Sequence, residues 1–207
     1  METVTAPCSH CLRQTHQNVR HSFEQALDEF GDYIEVYQLL ECAGCHSISL
    51  ANYSFGDSRE CYRTRYYPPP AKREVPSWRS ELPLGGGLLD EIYEAMRGGQ
   101  YRLAVMGIRA LLERVMISKV DEHRTFEKNM NTLCEKGYIS TVQRDAMNDI
   151  LEAGHATTHR HFNPNEGDVS TALDITENIL SAIYVNGEAA TKVADRVPPR
   201  PPRAKSS

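Results

Sequence analysis

The sequence predicts an α+β protein divided by segments, with a small N-terminal β module followed by an all-α helical bundle. Three observations predict it. Two Cys-x-x-Cys pairs, Cys8/Cys11 and Cys42/Cys45, lie among stretches rich in β-branched and aromatic residues. A proline triplet at 68–70 and a glycine triplet at 85–87 punctuate the chain. From Leu88 to about Val185 the apolar residues recur at helical spacing. With 207 residues, 40% of them hydrophobic and 25% charged, the chain has material for a small module joined to a medium one, and its composition is not that of a disordered chain. The expected boundaries are 1–57 for the β module, 58–87 for a basic Pro/Gly-rich linker, 88–187 for the bundle and 188–207 for a disordered proline-rich tail.

In the first module, Tyr33 to Leu40 and Ser47 to Tyr53 read as strands on either side of the turn Cys42-Ala43-Gly44-Cys45. The stretch His21 to Phe30 is ambiguous, because Phe23, Ala26, Leu27 and Phe30 have helical spacing in what can equally be a loop. In the second, Leu88 to Arg97 ends at Gly98-Gly99, and Tyr101 to Val120 carries Leu103, Met106, Leu111 and Val115 in a broad stripe. Phe126 to Lys136 stops at Gly137, and Ser140 or Thr141 caps a helix running through Ala146, Ile150 and Ala153. The last helix is capped at Asp168 and buries a face of Val169, Ala172, Leu173, Thr176, Ile179, Leu180 and Ile183. The prolines between Val197 and Arg203 cannot continue it, since proline lacks the donor and clashes with the preceding turn.

No apolar run is long enough to span a bilayer, and the first residues lack the basic-then-apolar pattern of a signal peptide. The expectation is therefore a cytoplasmic protein with no membrane contact, in which thiols stay reduced. Under reducing conditions the paired cysteines read as metal ligands. Each Cys-x-x-Cys turn sets two thiolates at a distance that shares one tetrahedral ion, and two turns complete a zinc-ribbon shell with Cys8, Cys11, Cys42 and Cys45 as ligands of a structural Zn2+. The competing readings are a redox dithiol, which needs an α/β setting absent here, and buried thiols. His10, His16 and His46 are alternative ligands that four cysteines make unnecessary, and Cys61 and Cys134 read as unpaired thiols.

A second constellation ends the helix before the last one: Gly154-His155-Ala156-Thr157-Thr158-His159-Arg160-His161. His155 and His159 are one helical turn apart and point the same way. The pair has the spacing of two metal ligands, but Ala156 stands where a zincin has its glutamate base. Rings that hydrogen-bond within the bundle or complement the helix C-terminus account for it equally well.

The cysteine-rich start, the helix Tyr101 to Glu113 with Arg109, and the segment Gly154 to His159 together resemble the domain of unknown function 4145 family, whose helices resemble the HEPN bundles of prokaryotic defence and toxin systems. The likeness covers about Leu88 to Val185. It implies a homodimer through the helical bundle. Active HEPN ribonucleases place an arginine four to six residues before a histidine; the histidine moves protons and the arginine stabilises the phosphorane. By this resemblance His159 is the catalytic histidine, His155 stands beside the matching arginine position, and that position is Gly154. Arg160 or Arg109 is left to supply the cation. The resemblance thus implies a degenerate bundle that binds or assembles in a prokaryotic nucleic-acid-linked defence or mobile-element system, with a metal-independent ribonuclease using His159, or a purely structural interaction subunit whose histidines are core residues, as the alternatives.

The formal charge of -5 excludes a chain that coats nucleic acid by bulk positive charge. Residues 59–79 nevertheless carry a local excess of four positive charges from Arg59, Arg63, Arg65, Lys72, Arg73 and Arg79. Interleaved with Tyr62, Tyr66, Tyr67 and Trp78, they have the composition of an RNA or DNA contact, and equally that of a solvated linker. A protein partner is a further expectation, the tail's Pro198 to Arg203 having the look of a groove-docking segment.

Overall fold

The structure, a computed structural model, describes residues 2–71, 73–83, 87–120 and 125–198. The chain divides into two compact units, Met1–Val75 and Pro76–Ser207.

The first unit is a five-stranded antiparallel sheet whose strands lie in chain order. They are β1 (Thr3–Cys8), β2 (Arg13–Ala26), β3 (Ile34–Cys42), β4 (Ile48–Phe55) and β5 (Cys61–Tyr67). Alternation along each strand sends Ala6, Leu40 and Ala51 to one buried face, where Val4, Val19, Tyr53 and Tyr66 pack around them. With Cys8, Ile34, Cys42 and Ala71 also buried, the core of this unit is still small, and a bound ion at its cysteines would add to its stability. The segment His21 to Ala26, ambiguous in the sequence, is strand: it pairs with Ile34 to Leu39 after a register shift near Val19. Its hairpin closes through Asp28, whose Oδ1 accepts from the backbone N–H of Asp32 at 2.9 Å and of Tyr33 at 3.3 Å, with Gly31 at φ 70°. The helical spacing there was misleading because Phe30 is 85% exposed and Phe23 packs on Tyr37 across the strands.

The expected linker begins at residue 58, whereas residues 61–67 form β5, paired to β4 from Leu50↔Tyr67 to Phe55↔Cys61. Pairing an alternating aromatic and β-branched run adds ladder hydrogen bonds that a linker reading of its arginines overlooks.

The second unit is helical. A short 3₁₀ turn, Ser77–Glu81, precedes α1 (Gly87–Arg97), α2 (Tyr101–Val120), α3 (Phe126–Glu135), α4 (Thr141–His159), α5 (Glu166–Tyr184) and α6 (Asn186–Ala194). α2 packs against α1, α3, α4 and α5. Its buried side is Ala104, Val105, Ile108, Leu111, Leu112, Val115 and Met116. Leu103 and Met106, expected in that stripe, are 57% and 39% exposed. This helix is apolar on more than one side, so periodicity alone does not say which side faces inward. Where α1 crosses α2, a Cβ at Gly107 would lie 2.7 Å from Ile92 Cγ1, and only glycine permits that approach.

The helix ends follow local chemistry. Ser140 caps α4 in a capping box with Gln143. The cap of α5 is Asn165, not Asp168; Asp168 sits three residues on and returns its carboxylate to the Asn165 N–H at 2.8 Å. Both residues of such a box are favoured cap types, so residue type alone does not separate Asn165 from Asp168. The expected buried face of α5 holds for Val169, Ala172, Leu173, Thr176, Ile179 and Leu180, while Ile183 is half-buried. α6 occupies residues 186–194 and so runs into the segment expected to be disordered from 188, and residues 199–207 of that tail lie outside the described residues. No helix among the described residues is long and apolar enough to cross a membrane.

Candidate functional site

The two Cys-x-x-Cys turns close the ends of β1 and β3 with the same backbone pattern. After Cys8, the Leu12 N–H donates to the Cys8 carbonyl at 2.9 Å, and the Cys11 N–H lies 3.3 Å from Cys8 Sγ. After Cys42, the His46 N–H donates to the Cys42 carbonyl, again at 2.9 Å. Each turn ends on a left-handed residue, Leu12 at φ 55° and His46 at φ 61°. Neither is glycine, so the fold holds two side chains in a conformation they ordinarily avoid.

The β1–β2 and β3–β4 hairpins bring these turns together. Cys8 Sγ lies 3.6 Å from Cys45 Sγ, Cys11 Sγ lies 3.9 Å from Cys42 Sγ, and all four sulfurs fall within 4.8 Å of one another. A tetrahedral ion with metal–sulfur bonds of about 2.3 Å spaces its sulfurs about 3.8 Å apart. The Cys8–Cys45 and Cys11–Cys42 separations match that spacing, and the whole set lies within about 1 Å of it. Four cysteines can therefore bind a metal ion here, and among the described residues they are the one group of three or more such ligands.

Two hydroxyls surround the sulfurs. Ser47 Oγ lies 3.2 Å from Cys8 Sγ and 3.1 Å from Cys45 Sγ, and Thr15 Oγ1 lies 3.4 Å from Cys42 Sγ. The Thr15 hydroxyl, with the backbone N–H groups of Cys45 and Gly44, lowers the Cys42 thiol to about 6. Burial pushes the Cys8 thiol up, but hydrogen bonds from Ser47 and from the backbone of Cys11 and His10 outweigh it and leave it lowered. Hydrogen bonding to Cys45, then burial, pushes Cys11 up to about 12. No cysteine spacing announced Thr15 or Ser47.

The other sulfur and imidazole candidates lie elsewhere or are engaged. Cys61 and Cys134 are free thiols, Cys61 exposed and Cys134 half-buried. His46 bonds Glu41 through Nδ1 at 2.9 Å, and Glu41 also pairs with Arg20, which together hold its carboxyl at about 2.

At the far end of α4, His155 and His159 stand side by side with ring centres 4.6 Å apart. Both are exposed. Arg160, the next residue, turns back to pair with Glu152. Arg109 on α2 donates to the Leu151 carbonyl at 2.7 Å and lays its guanidinium 4.5 Å from the centre of the Phe126 ring. Its stem also explains Gly154: a Cβ there would lie 2.9 Å from Arg109 Cβ and 3.0 Å from Arg109 Cδ. Both arginines are thus engaged within the helical unit, while the two imidazoles are not hydrogen-bonded to other described residues.

The basic segment is divided by its strand. Arg63 and Arg65 share a face of β5 with Tyr67, Tyr66 turns to the core beside Tyr53, and Arg79 pairs with Asp90 at 2.7 Å. Lys72 lies outside the described residues.

A family model, the domain of unknown function DUF4145, matches residues 90–197, more than half of the chain. The chain belongs to this family. The match begins in α1 and spans the helical unit, including both Arg109 and the histidine pair, and leaves the cysteine-bearing sheet outside it. No match was found among curated proteins or among solved structures.

Proposed function

We propose that this DUF4145 protein is a zinc-ribbon and HEPN-like accessory protein that binds or assembles rather than cuts, in a nucleic-acid-linked defence or mobile-element system of a prokaryotic cytoplasm, as a homodimer through its helices. One observation carries the non-catalytic reading: neither chemistry-bearing cluster offers a complete catalytic set. The four-thiolate set leaves no position for water on a tetrahedral ion, so zinc there supplies folding free energy to a sheet with a small core. At the histidine pair, the arginine position is Gly154, and Arg109 and Arg160 are each engaged with other groups.

A second reading has its own support. His155 and His159 are exposed, adjacent and free of hydrogen-bonded neighbours among the described residues, as a proton-moving pair needs to be. In that reading the protein is a metal-independent endoribonuclease using His159. The separating experiment incubates full-length protein with transfer RNA and a structured RNA in EDTA, beside His159→Ala, with circular dichroism to confirm that both remain folded. The accessory reading predicts no defined products from either protein, RNA or DNA retention in a gel shift, and a dimer by light scattering. Cleavage by wild type alone establishes the ribonuclease. A monomer at micromolar concentration that retains no nucleic acid overturns the accessory reading.

A further inference from the structure

The accessory reading leaves the His155/His159 pair unused, and its geometry is specific. Two imidazoles on adjacent positions of one metal ion are constrained by bond length. With metal–nitrogen bonds of about 2.1 Å and ring centres roughly 1.2 Å behind the nitrogens, centres lie about 4.7 Å apart at a right angle and about 5.4 Å apart at a tetrahedral one. The measured separation is 4.6 Å. This matches the right-angled case, which square and octahedral ions prefer.

The surroundings favour a cation. The pair occupies the last turns of α4, which ends at His159, and the negative end of the helix dipole lies there. The nearest following cation in the chain, Arg160, is neutralised by Glu152. Both rings are exposed, so an ion can enter without opening the bundle and can keep water or a further ligand on its remaining positions.

We propose that His155 and His159 form a second metal site, chelating a divalent first-row ion of square or octahedral preference such as Ni2+, chemically distinct from the tetrahedral thiolate centre. Imidazole suits nickel and copper, whereas the soft thiolate shell selects zinc, so the two centres sort metals by ligand type and angle. The site does not depend on the accessory reading and stands or falls separately from it.

The test titrates zinc-loaded, full-length protein with NiCl2 by calorimetry, with a chromogenic chelator reporting any zinc released. Wild type is expected to bind one Ni2+ per chain without losing zinc, with the resonance changes centred on the His155 and His159 rings. H155Q and H159Q are each expected to weaken binding about tenfold or more, at least the loss that follows removal of an outer-shell partner. H161Q, at the exposed histidine beyond the helix, is expected to bind as wild type does. ZnCl2 as a second probe is expected to bind the pair more weakly than Ni2+. Nickel binding unchanged in both variants, absent at micromolar concentrations, or seen only as zinc displacement overturns the proposal.

Discussion

Gly154→Ala puts the packing of α4 on α2 to a direct test. At an unobstructed site inside a helix, replacing glycine by alanine stabilises by about 1 kcal/mol, because the unfolded chain loses freedom it no longer has to give up. At residue 154 the new Cβ lies 2.9 Å from Arg109 Cβ, and both carbons are fixed to their helix backbones. The side chain of Arg109 can swing its Cδ away, but only a separation of the two helices relieves the contact between the β-carbons. Overpacking of this kind costs about 1–3 kcal/mol. Set against the helix gain, the net change is a loss of about 1 kcal/mol, which lowers the melting temperature of a unit this size by about 2–5 °C. Gly187 in α6 meets nothing within 4 Å, so Gly187→Ala serves as the open-site comparison and is expected to leave the melting temperature unchanged or raised. Thermal melts followed at the helical signal measure both. A rise for Gly154→Ala equal to that for Gly187→Ala would refute the close approach, and with it the account of why the arginine position is glycine.

Other outcomes follow from the same contacts. Cys42→Ser is expected to abolish metal retention and unfold the sheet while the helical signal persists, because the two units have separate cores; metal analysis and near-ultraviolet dichroism check it. Ser47→Ala removes the hydroxyl shared by Cys8 and Cys45 and is expected to weaken metal binding about 10–100-fold in a chelator competition. Asn165→Ala removes the side-chain acceptor of the Asp168 N–H, leaving the residue 165 N–H to donate to the Asp168 carboxylate, and is expected to cost about 1 kcal/mol in urea denaturation, whereas Asp168→Asn keeps the reciprocal hydrogen bonds and is expected to cost less.

The parts of this molecule governed by short-range chemistry were legible in the sequence. Cysteine spacing identified the four sulfurs that converge, and glycines and cap residues placed the limits of α1 and α3 and the start of α4 within a residue or two. The parts decided by pairing or packing were not. His21 to Ala26 has a helical spacing of aromatics, yet β3 lies alongside to pair with it, and tertiary context overrides a local pattern of that length. The arginines of residues 59–65 have the charge of a linker, but the aromatic and β-branched residues alternating with them pair on β4, and β5 is formed there. On α2 the sequence supplies apolar residues to several sides, so the choice of Ala104 and Ile108 over Leu103 and Met106 comes from its neighbours. Arg109 is the clearest case. Its sequence position permits a role beside His159, but Gly154 and Phe126, both distant along the chain, draw it into a packing role.

The central claim is a closed four-thiolate zinc centre that stabilises the sheet and leaves no position for chemistry. X-ray absorption at the zinc edge of the purified full-length protein tests it most directly. The account predicts one zinc per chain surrounded by four sulfurs at about 2.3 Å and no nitrogen or oxygen neighbour. A first shell with an oxygen or nitrogen scatterer, or with fewer than four sulfurs, would contradict it and reopen the sheet as a catalytic centre.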